Sequence, residues 1–245
     1  MKKILLVSGC SLGDKDWYSF FHPDIDCSWP KWCDLIAEKY DMKLVNLCKS
    51  GAGNEYIYSS LFDYITTHDT NNIGLVLAAW SQCQRRDFAK KGNWTNHRID
   101  NEGDIFYWVE KSLRYMLSFK ILCEKYNLNY KQFQMIQLYK DILDGLRAGE
   151  VEIKKGIYDK DFRHKIVDQP KKALQEILKI LMKYDDLLGE NFIGWPIAEE
   201  IGGFALNNTL KDDDKISEID RHPNAKGQVK LMEKLYDRLG PRILN

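Results

Sequence analysis

Residues 73–80, Ile-Gly-Leu-Val-Leu-Ala-Ala-Trp, are apolar almost without interruption. A strand with one face in water alternates polar and apolar residues. A strand covered on both faces does not. This run is therefore predicted as a central strand with a layer on either side. Two shorter apolar segments, residues 2–8 and 43–47, read as further strands. Between them, Trp32, Leu35, Ile36 and Tyr40 fall at helical spacing, and so do Ile57, Leu61 and Ile65 after the second strand. Strands that alternate with helices predict a parallel sheet with helices on both faces.

The rest of the chain continues the pattern. Residues 105–126 are predicted as a long helix, and residues 133–138 as a fourth strand. Residues 171–188 read as a helix with Leu174, Ile177, Leu178 and Leu181 aligned, and residues 192–196 as a short final strand. Val229, Met232, Leu235, Tyr236 and Leu239 define a C-terminal helix. One domain over residues 1–245 is expected, with polar insertions at about 82–104 and 141–170.

Composition excludes several classes. Lys plus Arg number 36 and Asp plus Glu number 36, so no electrostatic footprint for nucleic acid or an anionic membrane is present. The apolar run after Met1-Lys2-Lys3 stops at Ser8-Gly9, too short for an export signal, and no run is long enough to span a bilayer. A cytoplasmic setting is expected. The 6 Cys (10, 27, 33, 48, 83 and 123) include no C-x-x-C pair, so they are expected as packing thiols and not as a zinc site.

Chemistry concentrates at the two ends. The first strand leads into Ser8-Gly9-Cys10-Ser11-Leu12-Gly13-Asp14, which puts a serine hydroxyl on a tight turn. The last helix is preceded by Asp220-Arg221-His222-Pro223-Asn224. A serine, a base and an acid are the parts of nucleophilic acyl transfer. In parallel sheets ligands bind beyond the carboxyl ends of the strands. Ser11, Gly51 and the Trp80-Ser81-Gln82 segment each follow a strand and belong on that edge. Cys10, next to Ser11, is a rival reactive thiol. His22, His68, His97 and His164 lack a comparable setting and read as surface or packing residues.

These blocks resemble the SGNH, or GDSL-type, hydrolase family. Gly9-Cys10-Ser11-Leu12 is similar to its first block, Asn46-Leu47-Cys48-Lys49-Ser50-Gly51 to its second, and Asp220-Arg221-His222-Pro223 to its last. The resemblance implies a flavodoxin-like three-layer α/β/α sandwich and hydrolysis of an ester or thioester without metal or cofactor. It implies Ser11 as nucleophile and His222 as base. The oxyanion hole would come from the N–H groups of Ser11 and Gly51. Three departures stand out. Cys10 replaces an aspartate. Ala79-Trp80-Ser81-Gln82 lacks the glycine and asparagine of the third block, leaving Gln82 and Asn54 as replacement oxyanion donors. The carboxylate lies two residues before the histidine, so Asp220, Glu218 or a backbone carbonyl is left to orient it.

Trp80 and Arg85 are the expected substrate contacts, and Trp17, Trp29, Trp94 and Trp195 are candidates to line a sugar cleft. The substrate expected is a small acyl ester, an O-acetyl group on a carbohydrate. The alternative is a catalytically weak module of the same fold that binds a glycan or nucleotide. A third reading, Gly9–Gly13 as a phosphate cradle, lacks both G-x-G-x-x-G and a lysine at P-loop spacing.

Overall fold

The computed structural model describes residues 2–99, 103–143 and 170–241. Strands β1 (Ile4–Ser8), β2 (Lys43–Asn46), β3 (Ile73–Trp80), β6 (Tyr130–Gln134) and β7 (Phe192–Ile193) form one sheet in the order β2-β1-β3-β6-β7, with every pairing parallel. The helices are α1 (Trp32–Lys39), α2 (Asn54–Thr67), α3 (Ile105–Lys125), α4 (Lys140–Leu143), α5 (Pro170–Met182), α6 (Asp185–Leu188) and α7 (Ala225–Leu239). A hairpin of β4 (Arg85–Lys90) and β5 (Asn93–Ile99) stands apart from the sheet. The strand order is the flavodoxin-like one, and its direction of winding reverses between β1 and β3.

Side-chain alternation decides which helix covers which face. Ala79 is paired with Phe133, so both point one way and Trp80 points the other. Phe133 meets Trp32 of α1 with ring centroids 5.7 Å apart. Trp80 meets Phe119 of α3 at 5.9 Å. Helices α1 and α3 therefore lie on opposite faces, with α7 packed beside α1 and α2 beside α3. From Leu75 to Trp80 every residue of β3 is fully buried, as its unbroken apolar run requires. Among the described residues no helix is long and apolar enough to cross a membrane.

Three local expectations shift. The fourth strand of the sheet starts at Tyr130 and ends at Gln134, where residues 133–138 were predicted. Its buried Gln132 and Gln134 hid it. Gln132 Oε1 accepts from Trp80 Nε1 at 3.0 Å, and Gln134 Oε1 accepts from Leu138 N at 2.6 Å, turning the chain. The predicted helix over 171–188 breaks into α5 and α6 at Lys183 and Tyr184, whose N–H groups bond three residues back. The polar stretch after β3 is the β4–β5 hairpin, closed by Lys91 and Gly92 with φ of 52° and 77°, the two positive values of a type I′ turn. As expected, Pro223 lies ahead of α7, directly before its N-cap Asn224. Residues 144–169 of the second predicted insertion lie outside the described residues.

The hairpin is tied to the sheet edge through Asp87, which is buried. Gly53, at the start of α2, has no side chain to cap the helix. Asp87 supplies the cap, its two oxygens accepting from Gly53 N at 2.9 Å and Tyr56 N at 3.0 Å. Burial raises the carboxyl pKa of Asp87, against the pull of those two N–H groups.

Helix α7 is fastened by Gln228, which is 3% exposed. Its Oε1 accepts from Trp32 N at 2.8 Å and its Nε2 donates to Leu12 O at 3.0 Å. Removing the amide strands two buried backbone groups at about 1–3 kcal/mol each. Gln228→Leu is therefore expected to lower the unfolding free energy by about 2–5 kcal/mol, read from the urea midpoint at unchanged slope. A midpoint equal to wild type would contradict this tie.

Candidate active site

Ser11 stands three residues beyond β1, at the point where the winding reverses. Its turn is closed by Gly13 N donating to Cys10 O at 3.1 Å and Asp14 N donating to Ser11 O at 3.3 Å. Ser11 is 8% exposed and Cys10 is 1% exposed. Gly13 has to be bare, since a Cβ there would lie 2.8 Å from Cys48 Sγ and 3.0 Å from Trp32 Nε1.

The loop after β2 is zipped to this turn. Asn46 Nδ2 donates to Gly13 O at 2.8 Å, and Lys49 N donates to Gly9 O at 3.0 Å. Asp14 Oδ2 accepts from both Ser50 N (2.7 Å) and Ser50 Oγ (2.6 Å). Gly51 follows, buried, with φ of 73°. Asp14 is a site residue that sequence reasoning missed. A loop aspartate three positions after Ser11 carries no periodic signal.

His222 and Asp220 come from a tight loop ahead of α7. Ser217 N donates to Asp220 O and Asp220 N donates to Ser217 Oγ, both at 3.0 Å. His222 Nδ1 lies 2.7 Å from Asp220 Oδ1, and His222 Nε2 lies 2.9 Å from Ser11 Oγ. With a carboxylate on Nδ1, that nitrogen carries the proton and Nε2 accepts from the Ser11 hydroxyl, an assignment made from the network. Glu218 is exposed, so Asp220 is the carboxylate that meets the ring. Burial alone would raise the Asp220 carboxyl pKa. Hydrogen bonds from His222 and Ser19 outweigh it and hold the group below its ordinary value.

Two further residues reach this pair. Ser19, fully buried, donates to Asp220 Oδ2. Trp17 stacks on the His222 ring with centroids 4.3 Å apart and planes 28° apart. Neither has a local sequence signal, because a loop serine and a loop tryptophan look like any other.

The expected oxyanion donors separate. Asn54 is 3% exposed and is consumed by structure. Its Oδ1 accepts from Ser81 N at 2.8 Å, and its Nδ2 donates to Ser81 O (3.1 Å) and Ser112 Oγ (3.0 Å). With both amide protons used, Asn54 fastens α2 to the end of β3 and has none left for an oxyanion. Gln82 is half-buried just past the end of β3, and its Oε1 accepts from Arg85 Nε at 3.1 Å.

Of the two expected substrate contacts, Trp80 is corrected and Arg85 is found tied into the loops. Trp80 is fully buried on the α3 face and bonded to Gln132, so it is a core residue. Arg85 braces the loops, giving Nε to Gln82 and Nη1 to Ala52 O at 3.0 Å. Of the four cleft tryptophans, Trp17 meets the site. Trp94 stands edge-on to Tyr56, Trp195 edge-on to Phe192, and Trp29 beside the buried Lys31 ammonium. Among the described residues no three His, Cys, Asp or Glu side chains are placed to hold a metal ion.

Comparison with known proteins bears on the fold. No protein-family model and no curated protein matches the sequence. The structure is similar to a psychrotrophic esterase, EstA from Pseudoalteromonas sp., solved inhibited by monoethylphosphonate. That match has a TM-score of 0.50 at 13% identity, over 97% of this chain and 96% of the other. It is also similar to a member of the lipolytic G-D-S-L family from Veillonella parvula, with a TM-score of 0.49 at 10% identity over 96% and 97% of the two chains. The three-layer α/β fold implied by the resemblance is the fold observed.

The loop that carries His222 is clamped to α7 by Asp214, buried at 1% exposure. Lys230 Nζ reaches its Oδ2 at 2.5 Å and Lys211 N at 2.8 Å, and Lys226 Nζ lies 3.5 Å from Oδ1. The Lys230 hydrogen bond leads in holding this carboxyl down at about 2, against an ordinary value of 3.8. A depressed carboxylate stabilises the fold above its unfolded pKa and loses that contribution as pH falls through its folded one. Asp214→Asn is expected to flatten the fall in urea midpoint between about pH 4 and about pH 2. An acid limb as steep as wild type would show that the clamp does not titrate there.

Proposed function

We propose that this chain is a serine hydrolase that cleaves a carboxylic ester through an acyl-enzyme on Ser11. The observation that carries the reading is the unbroken hydrogen-bonded chain from Ser11 Oγ through the His222 ring to Asp220 Oδ1, at 2.9 and 2.7 Å. The residues come from opposite ends of the sequence. No packing requirement explains a histidine held between a hydroxyl and a carboxylate with its side chain about a third exposed.

In this reading Ser11 Oγ attacks the acyl carbon as His222 Nε2 takes its proton. Asp220 keeps the reactive tautomer and stabilises the imidazolium that forms. The oxyanion is met by the N–H groups of Ser11 and Gly51 and by Gln82 Nε2. His222 then returns its proton to the departing alcohol, and water, deprotonated by the same ring, releases the acid. No metal or cofactor has a part in these steps.

The substrate that fits best is a small acyl ester, an O-acetyl group on a carbohydrate. A site opening directly to solvent beside the imidazole suits a short acyl group on a large polar alcohol. The half-buried Trp17 ring, stacked on the imidazole, puts apolar surface beside the site. A second reading, a catalytically weak glycan- or nucleotide-binding module, draws on the altered third block, where Gln82 stands in place of asparagine.

A fluorophosphonate probe with mass spectrometry of the labelled peptide separates the two. Labelling at Ser11, lost in His222→Ala, is expected of the hydrolase. Ser11→Ala should lower ester hydrolysis at least about 10³-fold. No labelling of folded protein would favour the binding module. Gln82→Ala should cost about 10²–10³ in kcat if its amide meets the oxyanion. Unchanged kcat would remove Gln82 from the hole.

A further inference from the structure

We infer that Ser19 is a positioning residue for the acid of this site, and that the segment 17–22 holds Asp220 and His222 in line with Ser11. The inference rests on the hydrolase reading above. It starts from the two oxygens of Asp220. Oδ1 takes His222 Nδ1–H and, at 3.2 Å, His222 N–H. Oδ2, facing away from the ring, takes the Ser19 hydroxyl. A hydroxyl has one proton to give. In Ser19 a lone pair is occupied by His22 N–H at 3.0 Å, which turns the proton toward Asp220.

The same segment is fastened a second time. His22 Nε2 lies 2.8 Å from Ser217 Oγ, and that oxygen accepts from Asp220 N. Residues 19–22 and 217–220 are thus tied through both the side chain and the backbone of the acid. Trp17 completes the bracket by covering one face of the imidazole. Behind Trp17, the Lys31 ammonium lies 5.9 Å from its ring and donates to Cys27 O at 2.6 Å. One loop thus sets the carboxylate plane and the ring plane together.

Removing the Ser19 hydroxyl leaves a buried carboxylate oxygen without its donor. The carboxylate is then free to rotate about Cβ–Cγ and bears more of its charge toward His222. The imidazolium is held more tightly, so activity disappears at higher pH on the acid side. Ring misalignment slows chemistry without touching substrate contacts. The other titratable groups of the bracket, His22 on Ser217 and Lys31 behind Trp17, stay in place in the variants used to test this.

The test compares wild type with Ser19→Ala and Ser19→Cys, the latter keeping the volume while offering only a weak donor. Wild type is first labelled with fluorophosphonate at Ser11, then kcat, KM and the pH profile of kcat/KM are measured on a model acetyl ester. Both variants are expected to lose about 10- to 100-fold in kcat at little changed KM, with the acid limb moved to higher pH. If Ser19→Ala does not fold, Ser19→Cys decides. A labelled wild type with folded variants that keep its kcat and acid limb, losing only stability, overturns the inference and leaves the hydrolase reading standing. A wild type that is not labelled overturns both.

Discussion

Everything at this site depends on bringing a turn near residue 11 against a loop near residue 222, and one buried amide does much of that work. Gln228 spans 216 residues of sequence to bond Leu12 O and reaches Trp32 N with its other end. An amide carries donor and acceptor on one planar group, so it can replace a missing backbone pairing on two segments at once. Here it joins the Ser11 turn, the start of α1 and the helix that follows His222. Gly227 beside it lets α7 settle onto the preceding loop, since a Cβ there would stand 2.0 Å from Asp214 O.

The same economy recurs along the sheet edge. Asn54 pairs with both the N–H and the C=O of Ser81, mimicking a strand neighbour where β3 has run out. Asn46 bridges Cys48 N and Gly13 O, and Asp14 closes on Ser50. Three turns after three strands are thereby joined largely by side chains, with Lys49 N to Gly9 O the backbone link between the first two. That is the requirement for a site built from strand ends, where regular pairing has stopped and backbone groups still need partners.

Three buried carboxylates show how burial is met in different ways. Asp87 caps a helix start and is still pushed upward by desolvation. Asp214 gathers lysines and is pulled down to about 2. Asp220 is held down by hydrogen bonds from the ring and backbone of His222 and from the Ser19 hydroxyl. A carboxylate balanced by a histidine can answer a change in the protonation of that histidine, which a carboxylate locked between lysines cannot do. Asp214 therefore suits an anchor and Asp220 suits chemistry.

Much of the architecture was legible because hydrophobic spacing is local. The run at 73–80 announced a covered strand, and the 3.6-residue stripes announced α1, α2, α5 and α7. The fourth strand was placed too late, at 133–138, because Gln132 is satisfied by a partner elsewhere in the fold and its polar identity argued against burial. The order of Ser11, Gly51 and His222 along the chain, each beside a strand end or a helix start, was readable for the same local reason. The fates of Asn54, Trp80 and Arg85 were not. Each is decided by which neighbour takes its hydrogen bonds or covers its ring. So it is with Ser19 and Trp17, which meet residues 201 and 205 positions away. By itself the sequence determined the layers and the pieces of chemistry on offer. Tertiary structure alone decided which side chains meet Ser11, His222 and Asp220 and which are used to hold the loops, because long-range hydrogen-bond partners leave no period in the chain.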